Sequence, residues 1–360
     1  MECIEIGEAM RAQRIILCGF GKVGQAFAQL LHERRDLLQT RHALGLDLIA
    51  VVDIGGAALA PQALPTIPVT ELLAHVKMGG TVEGFGDFGI PGATGVAVIE
   101  SLDADLIVEA TPTNLVTGEP GLRHMRAALG RGMHVVAANK GPLVLHYAEL
   151  QTLARERGGQ IYMSAATAAA LPTLDVGQVC LAGAQILGIE GILNGTTNFI
   201  LTKMQEEGYQ YLDALHEAQQ RGIAETDPTL DVEGFDTANK LILLANTLLG
   251  TVYGPHDVSR RGITDITPQM VIEARRTGKC VKLIGRANLS HGSVHLSVAP
   301  EELPLDHPLA VVRGAEKAVT YATDTMGRIT VMGGQSSPTG AAAALLKDII
   351  NLSRITAPGR

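Results

Sequence analysis

Residues 14–31 read RIILCGFGKVGQAFAQLL, and the fold follows from how that stretch divides. Residues 14–18 form a short apolar run. Gly19-Phe20-Gly21-Lys22-Val23-Gly24 then sets three glycines in the pattern G-x-G-x-x-G, and Ala26, Phe27, Leu30 and Leu31 recur at helical spacing after it. A strand that turns through such glycines into a helix is the context in which the pattern signals dinucleotide binding. The first glycine permits the tight turn, the second lets a pyrophosphate approach the backbone, and the third lets helix pack on strand. Free N–H groups at the helix N-terminus favour the anion. Gly19, Phe20, Gly21, Lys22, Val23 and Gly24 are therefore expected to bind the cofactor.

Working outward, DLIAVVD (47–53), DLIVEA (105–110), HVVAAN (134–139) and QIYMSA (160–165) are further apolar runs, with helical patterns near 119–131 and 146–157. Apolar runs alternating with helices indicate parallel strands covered on both faces. Residues 1–165 are thus expected to form a Rossmann-type, doubly wound α/β domain. The rhythm then changes. Strand-like runs at 185–193, 279–289, 293–300, 318–323 and 328–333 and helical patterns near 196–207, 211–221 and 233–249 no longer alternate, which reads as an α+β domain over 166–334 with a mostly antiparallel sheet. A terminal helix within 335–360 is expected to pack back on the first domain. The glycine-rich stretch 79–95 reads as a surface loop.

Composition narrows the function. The 360 residues carry a net charge of −8 and only 3% aromatics, so neither a basic face nor stacking rings favour a nucleic-acid partner. No apolar stretch is long enough to span a membrane. Residues 1–10 carry acids where a signal peptide needs bases, and Cys3, Cys18, Cys180 and Cys280 are scattered with no CxxC pair. A reducing, cytoplasmic setting is expected.

Asp53 closes the second strand, where a carboxylate would accept hydrogen bonds from an adenosine ribose. It favours NAD over NADP, whose 2′-phosphate it would repel; its other reading is a loop cap. Thr111 and Lys140 follow parallel strands, whose carboxyl ends line the ligand crevice of such sheets. GIAETDPTLDVEGFDTANKLILLAN (222–246) is the most unusual segment. Pro228 is expected to keep its first part out of a helix. Beyond Glu233, helical spacing stacks Asp236 and Lys240 at i and i+4. On spacing alone this is either an acidic loop with an exposed ion pair or a reactive site.

Together, GFGKVG, ANK (138–140), ILNGTTNFIL (192–201) and GIAETDPTLDVEGFDTANK (222–240) closely resemble homoserine dehydrogenases over nearly the whole chain. The resemblance implies NAD(P)-dependent interconversion of L-aspartate 4-semialdehyde and L-homoserine. It implies that Lys240 is the catalytic lysine and Asp236 its carboxylate partner. Glu225 would hold the substrate ammonium, with Gly222 beside it and Asp231 lining the site. Lys140 would stand between cofactor and substrate, Thr111 would contact the nicotinamide ribose, and Asn194-Gly195-Thr196-Thr197-Asn198 would form a turn beneath the site. A homodimer joined through the second domain is also implied. The family's glycine-rich segment after the last Rossmann strand reads here Ser164-Ala165-Ala166-Thr167-Ala168-Ala169-Ala170-Leu171-Pro172. Its counterpart offers backbone carbonyls to a sodium or potassium ion, which would put that ion at Ser164, Thr167 and Ala169. The glycine-rich stretch near the end departs as well, reading GGQSSPTG over 333–340. The length leaves no room for the regulatory domain that some relatives carry, so insensitivity to threonine is expected. The same fold could also serve a related hydroxy acid or amino acid, or a non-catalytic nucleotide sensor.

Overall fold

The computed structural model describes residues 12–61, 64–334 and 336–356. The signal-peptide reading of residues 1–10, Cys3, and Gln335 of the 333–340 stretch lie outside the described residues. The chain divides into two compact units. Unit 1 takes the residues up to Pro142, Ala148–Met163 and the segment from Ala341 onward; unit 2 takes Leu143–Tyr147 and Ser164–Gly340.

In unit 1, β1 (Gln13–Cys18), β2 (Leu46–Asp53), β3 (Gly56–Leu59), β4 (Gly89–Pro91), β5 (Leu106–Glu109), β6 (His134–Ala137) and β7 (Ile161–Tyr162) form one sheet in the order β4-β3-β2-β1-β5-β6-β7. β1 pairs in parallel with β2 on one side and β5 on the other, and β6 and β7 continue in parallel. Ile15, Ile16, Leu17 and Cys18 have no exposed surface, as strands covered on both faces require. Strand order reverses at β1, so the crevice of this sheet opens at the carboxyl ends of β1 and β5.

β3 and β4 were not anticipated. They extend the sheet past β2 as antiparallel edge strands. The 79–95 stretch is accordingly more than a surface loop: it carries β4, and Val82 and Phe85 are buried in it. Short, glycine-rich edge strands lack the alternation that would reveal them.

Unit 2 holds a six-stranded sheet, β8 (Ile186–Ile192), β9 (Val258–Arg260), β10 (Lys279–Ser290), β11 (Ser293–Pro304), β12 (Lys317–Thr323) and β13 (Arg328–Gly333), in the order β13-β12-β8-β10-β11-β9. Every pairing is antiparallel except β11 with β9. Helices Gly195–Glu207 and Phe235–Leu248 bury Ile200, Leu201, Leu241, Ile242, Leu244 and Ala245. Pro228 does not exclude helix from its surroundings, because a single turn, Thr229–Val232, starts directly after it. That is a position where a missing N–H removes no hydrogen bond. The final helix runs Pro338–Thr356, and Leu345, Ile349 and Leu352 on it are buried. Among the described residues no helix is long and apolar enough to cross a membrane.

Candidate active site

The cofactor turn is shaped by its glycines, each for a different reason. Gly19 has φ +96°, and a Cβ there would lie 2.6 Å from the Ala110 backbone. At Gly24 a Cβ would sit 2.1 Å from the Gly19 carbonyl oxygen. These two glycines are demanded by the protein's own packing. Gly21 is not: a Cβ there meets nothing within 4 Å, so the space beside it is left for whatever approaches the turn. Gly21 starts the helix Lys22–Glu33 without a side-chain cap. The amides of that helix end are thus left to an anion, and the turn fits a pyrophosphate. Phe20 is buried, so the turn offers its backbone rather than its ring, and Gln25 Nε2 holds the Phe20 carbonyl at 2.8 Å. Lys22 is exposed and Val23 half-buried. Asp53 ends β2, and the neighbouring Val52 carbonyl accepts from the Gly19 N–H at 2.8 Å. The carboxylate is therefore placed one strand over from the turn.

Thr111 and Lys140 are brought together at the ends of β5 and β6 by Asn139 of the ANK motif and by two residues, Glu109 and His124, that sequence reasoning did not single out. Glu109, with no exposed surface, accepts the Thr111 backbone N–H at 2.9 Å and also its hydroxyl. His124 Nδ1 lies 2.8 Å from the other Glu109 oxygen. Asn139 Nδ2 donates to Thr111 Oγ1 at 3.0 Å, while its Oδ1 accepts the Gly141 N–H at 3.0 Å. The Lys140 N–H reaches Thr113 Oγ1 at 3.4 Å. The available signal was an acid inside an otherwise apolar strand, since such a residue needs partners wherever it is buried. Cys18, Glu109 and His124 also offer ligand atoms within 4.8 Å of one another. Glu109 is already committed to these hydrogen bonds, however, and burial first, then the Glu109 charge, pushes the Cys18 thiol well up. A protonated thiol is a poor ligand, so the cluster is a hydrogen-bonded brace.

In unit 2, Lys240, Asp236 and Asp231 converge. Lys240 Nζ lies 2.5 Å from Asp236 Oδ2 and donates to the Leu193 carbonyl at 2.9 Å. Asn194 joins the carboxylates: its Nδ2 donates to Asp231 Oδ1 at 2.6 Å and to Asp236 Oδ2 at 2.9 Å. Its Oδ1 accepts the Thr197 N–H at 2.9 Å, capping the helix Gly195–Glu207. One buried amide thus starts a helix and fixes two acids. Burial, then the facing Asp236 charge, raises the Asp231 carboxyl above its ordinary value, opposed by hydrogen bonds from Thr196 and Asn194 and by Lys240. The lysine and aspartate are each about one-eighth exposed (13% and 14%), which leaves the pair reachable.

Glu225 and Gly222 stand in the exposed stretch after the helix Tyr211–Gln220. Gly222, at φ +68°, closes that helix. Thr196 Oγ1 donates to the Ile223 carbonyl at 3.1 Å and ties this stretch to the Asn194 turn. The Glu225 carboxylate makes no hydrogen bond to the Lys240 cluster.

The segment Ser164–Pro172 does not fit a monovalent ion. The Ser164 carbonyl accepts from Thr167 Oγ1 at 2.9 Å and from the Ala168 N–H at 3.3 Å, and the Leu171 carbonyl from the Thr173 N–H at 2.8 Å. Lys317 Nζ donates to the Ala168 carbonyl at 2.8 Å. Of the carbonyls expected to hold the ion, that of Ser164 is already occupied, and the Lys317 amino group stands on the Ala168 carbonyl between the other two.

Two family models match the chain: the homoserine dehydrogenase NAD-binding domain over residues 19–164 and the homoserine dehydrogenase domain over residues 172–350. A homoserine dehydrogenase of Methanocaldococcus jannaschii is 38% identical, over 95% of this chain and 99% of its own. An NAD(+)-dependent homoserine dehydrogenase of Pseudomonas canavaninivorans is 39% identical over 95% and 97%. A hyperthermophilic archaeal homoserine dehydrogenase solved in complex with NADPH superposes with a TM-score of 0.82 at 26% identity, covering 97% of this chain and all of its own.

Proposed function

The chain belongs to the homoserine dehydrogenase family, and from that premise we propose how its residues divide the work of an NAD(P)-dependent oxidoreductase acting on a CH–OH group. The observation that carries the assignment is the set Lys240–Asp236–Asn194–Asp231. Oxidising a primary alcohol removes one hydride and one proton. When bound, the nicotinamide takes the hydride in that direction and supplies it in reverse. Lys240 Nζ handles the proton: as the amine it accepts the homoserine hydroxyl proton, and as the ammonium it returns one to the oxygen of aspartate 4-semialdehyde. Asp236, at 2.5 Å, holds Nζ in place. Asn194 keeps Asp236 and Asp231 in register while their charges face each other.

Glu225 binds the substrate ammonium, with the Gly222 backbone beside it and Asp231 lining the site; the tie from Thr196 to Ile223 supports this placement. On the cofactor side, Gly19–Gly24 takes the pyrophosphate, Asp53 the adenosine ribose and Thr111 the nicotinamide ribose. Lys140 serves cofactor and substrate. We also read the protein as a cytoplasmic homodimer joined through unit 2. The three described cysteines, all free thiols, agree with a reducing compartment.

The test is to follow NAD(P)H absorbance with L-homoserine and with 4-hydroxybutyrate, which lacks the amino group. Homoserine is expected to turn over. Glu225→Gln is expected to raise its KM about tenfold or more with kcat nearly kept, as loss of uniform binding does. Equal use of both alcohols by the unaltered protein would remove Glu225 from its role.

A further inference from the structure

Lys317 opens β12, which pairs with β13 on one side and β8 on the other. Its side chain is 1% exposed. Lysine is almost never buried this far unless its charge is partnered, and the segment Ser164–Pro172 offers it an acceptor in the Ala168 carbonyl. That segment is the one whose carbonyls the family resemblance assigns to a sodium or potassium ion. We propose that the Lys317 ammonium is the resident cation of the segment Ser164–Pro172, and that this protein takes no alkali ion there.

Three observations carry the inference. Lys317 Nζ donates to the Ala168 carbonyl at 2.8 Å, so the amino group already rests on the middle of the segment. The flanking carbonyls are used within the protein: Ser164 by Thr167 and Ala168, and Leu171 by Thr173. The Thr167 and Thr173 hydroxyls meet at 3.2 Å, closing the segment's polar side chains on one another. Third, the segment bends sharply although it holds no glycine. Ala169 holds φ +52°, a left-handed conformation that disfavours a Cβ by about 1 kcal/mol.

Charge decides between one cation and two. Consecutive Cα atoms are only about 3.8 Å apart, so an alkali ion on the Thr167 and Ala169 carbonyls would stand close to the ammonium on Ala168. Both would lie where little water screens them, and like charges so placed repel strongly. A tethered ammonium also has no concentration dependence, whereas stabilisation by a bound ion grows with the logarithm of its concentration above Kd.

The claim rests on this segment and not on the roles given to Lys240 or Glu225, so its test reads stability. The protein and Lys317→Ala are melted in tetramethylammonium, sodium, potassium and ammonium chloride at one ionic strength of roughly 0.1 M, which equalises screening. The unaltered protein is expected to keep its Tm within about 2 °C across all four salts. Lys317→Ala is expected to melt lower and to be raised by more than about 2 °C by at least one of the three small cations over tetramethylammonium, which is too large to enter. The proposal is overturned if sodium or potassium raises the Tm of the unaltered protein by more than that amount. It is equally overturned if a folded Lys317→Ala protein is stabilised by none of the three. Should Lys317→Ala yield no folded protein, the series on the unaltered protein decides alone.

Discussion

In unit 1 the cofactor turn is made of backbone: Gly19 and Gly24 shape it by packing, Gly21 leaves room beside it, and Phe20 turns its ring inward. In unit 2 the proposed reactive cluster is made of side chains: the amide of Asn194 holds Asp231 and Asp236, and Asp236 holds Lys240. The first kind of site resists change through sterics and is lost with the local fold. The second can be altered atom by atom while the fold stands. Substitutions in the two places should therefore fail in different ways.

The largest effect is expected at Gly24→Ala. Its Cβ would lie 2.1 Å from the Gly19 carbonyl oxygen, a clash with backbone that cannot swing aside. A loss of roughly 3 kcal/mol, about 6 °C or more in Tm, should accompany loss of nucleotide binding. Gly21→Ala separates shape from stability. With open space around that Cβ, thermal melting should leave Tm unchanged while the KM for NAD(P)H rises about tenfold. A fall in Tm at Gly21→Ala would mean that packing, not the ligand, demands this glycine.

Asn194 comes next, because it belongs to the fold and to the chemistry at once. Asn194→Ala should lower kcat roughly 100-fold by releasing both carboxylates, and also lower Tm through the lost helix cap, worth about 1 kcal/mol. Asn194→Asp keeps an acceptor for the Thr197 N–H but sets a third negative charge against Asp231 and Asp236. Kinetics paired with melting should show kcat still reduced and Tm lowered although the cap acceptor is kept, because the added buried charge repels both carboxylates. A fully active Asn194→Asp protein would contradict the orienting role.

Smaller effects test the electrostatics. Asp53→Ser should raise the use of NADP relative to NAD, by a few-fold in the ratio of kcat/KM; an unchanged ratio would leave Asp53 as a loop cap. Asp231 carries a raised carboxyl pKa in the folded state, from burial and then from Asp236. An acid whose folded pKa lies above its unfolded value contributes stability below the unfolded pKa, and that contribution is lost as pH rises through the folded one. Asp231 is thus a liability at neutral pH. Asp231→Asn should melt above the unaltered protein at pH 7, with the gap narrowing as acid protonates the carboxyl, and should turn over homoserine more slowly. A lower Tm for Asp231→Asn at pH 7 would contradict this electrostatic account.

The same contrast explains what could be read without coordinates. Glycine spacing between an apolar run and a helical pattern is a local signal, so β1, the turn and the helix Lys22–Glu33 were legible from residues 14–31. The i, i+4 spacing of Asp236 and Lys240 was equally local. The amide that governs them was legible only as part of a turn, because Asn194 reaches partners some forty residues away in sequence. Glu109 and His124 were missed for the same reason, and Asn139 was legible only within the ANK motif: their partners converge from β5, β6 and the helix Gly121–Gly130. β3 and β4 escaped because short edge strands bury too little to impose a pattern. At Lys317, nothing local distinguishes a lysine that caps a buried carbonyl from one that faces solvent.

Lys240 is proposed to move the proton while residues of unit 1 hold the nucleotide. The most direct measurement is a pair on Lys240→Ala: NADH binding by fluorescence titration, and homoserine oxidation by absorbance at saturating cofactor. Unchanged NADH affinity is expected, with kcat lower by about 10³-fold, within the range that loss of a general acid–base group produces. Homoserine turnover within about tenfold of the unaltered protein, at intact NADH affinity, would contradict it, since an effect that small falls below what loss of such a group costs.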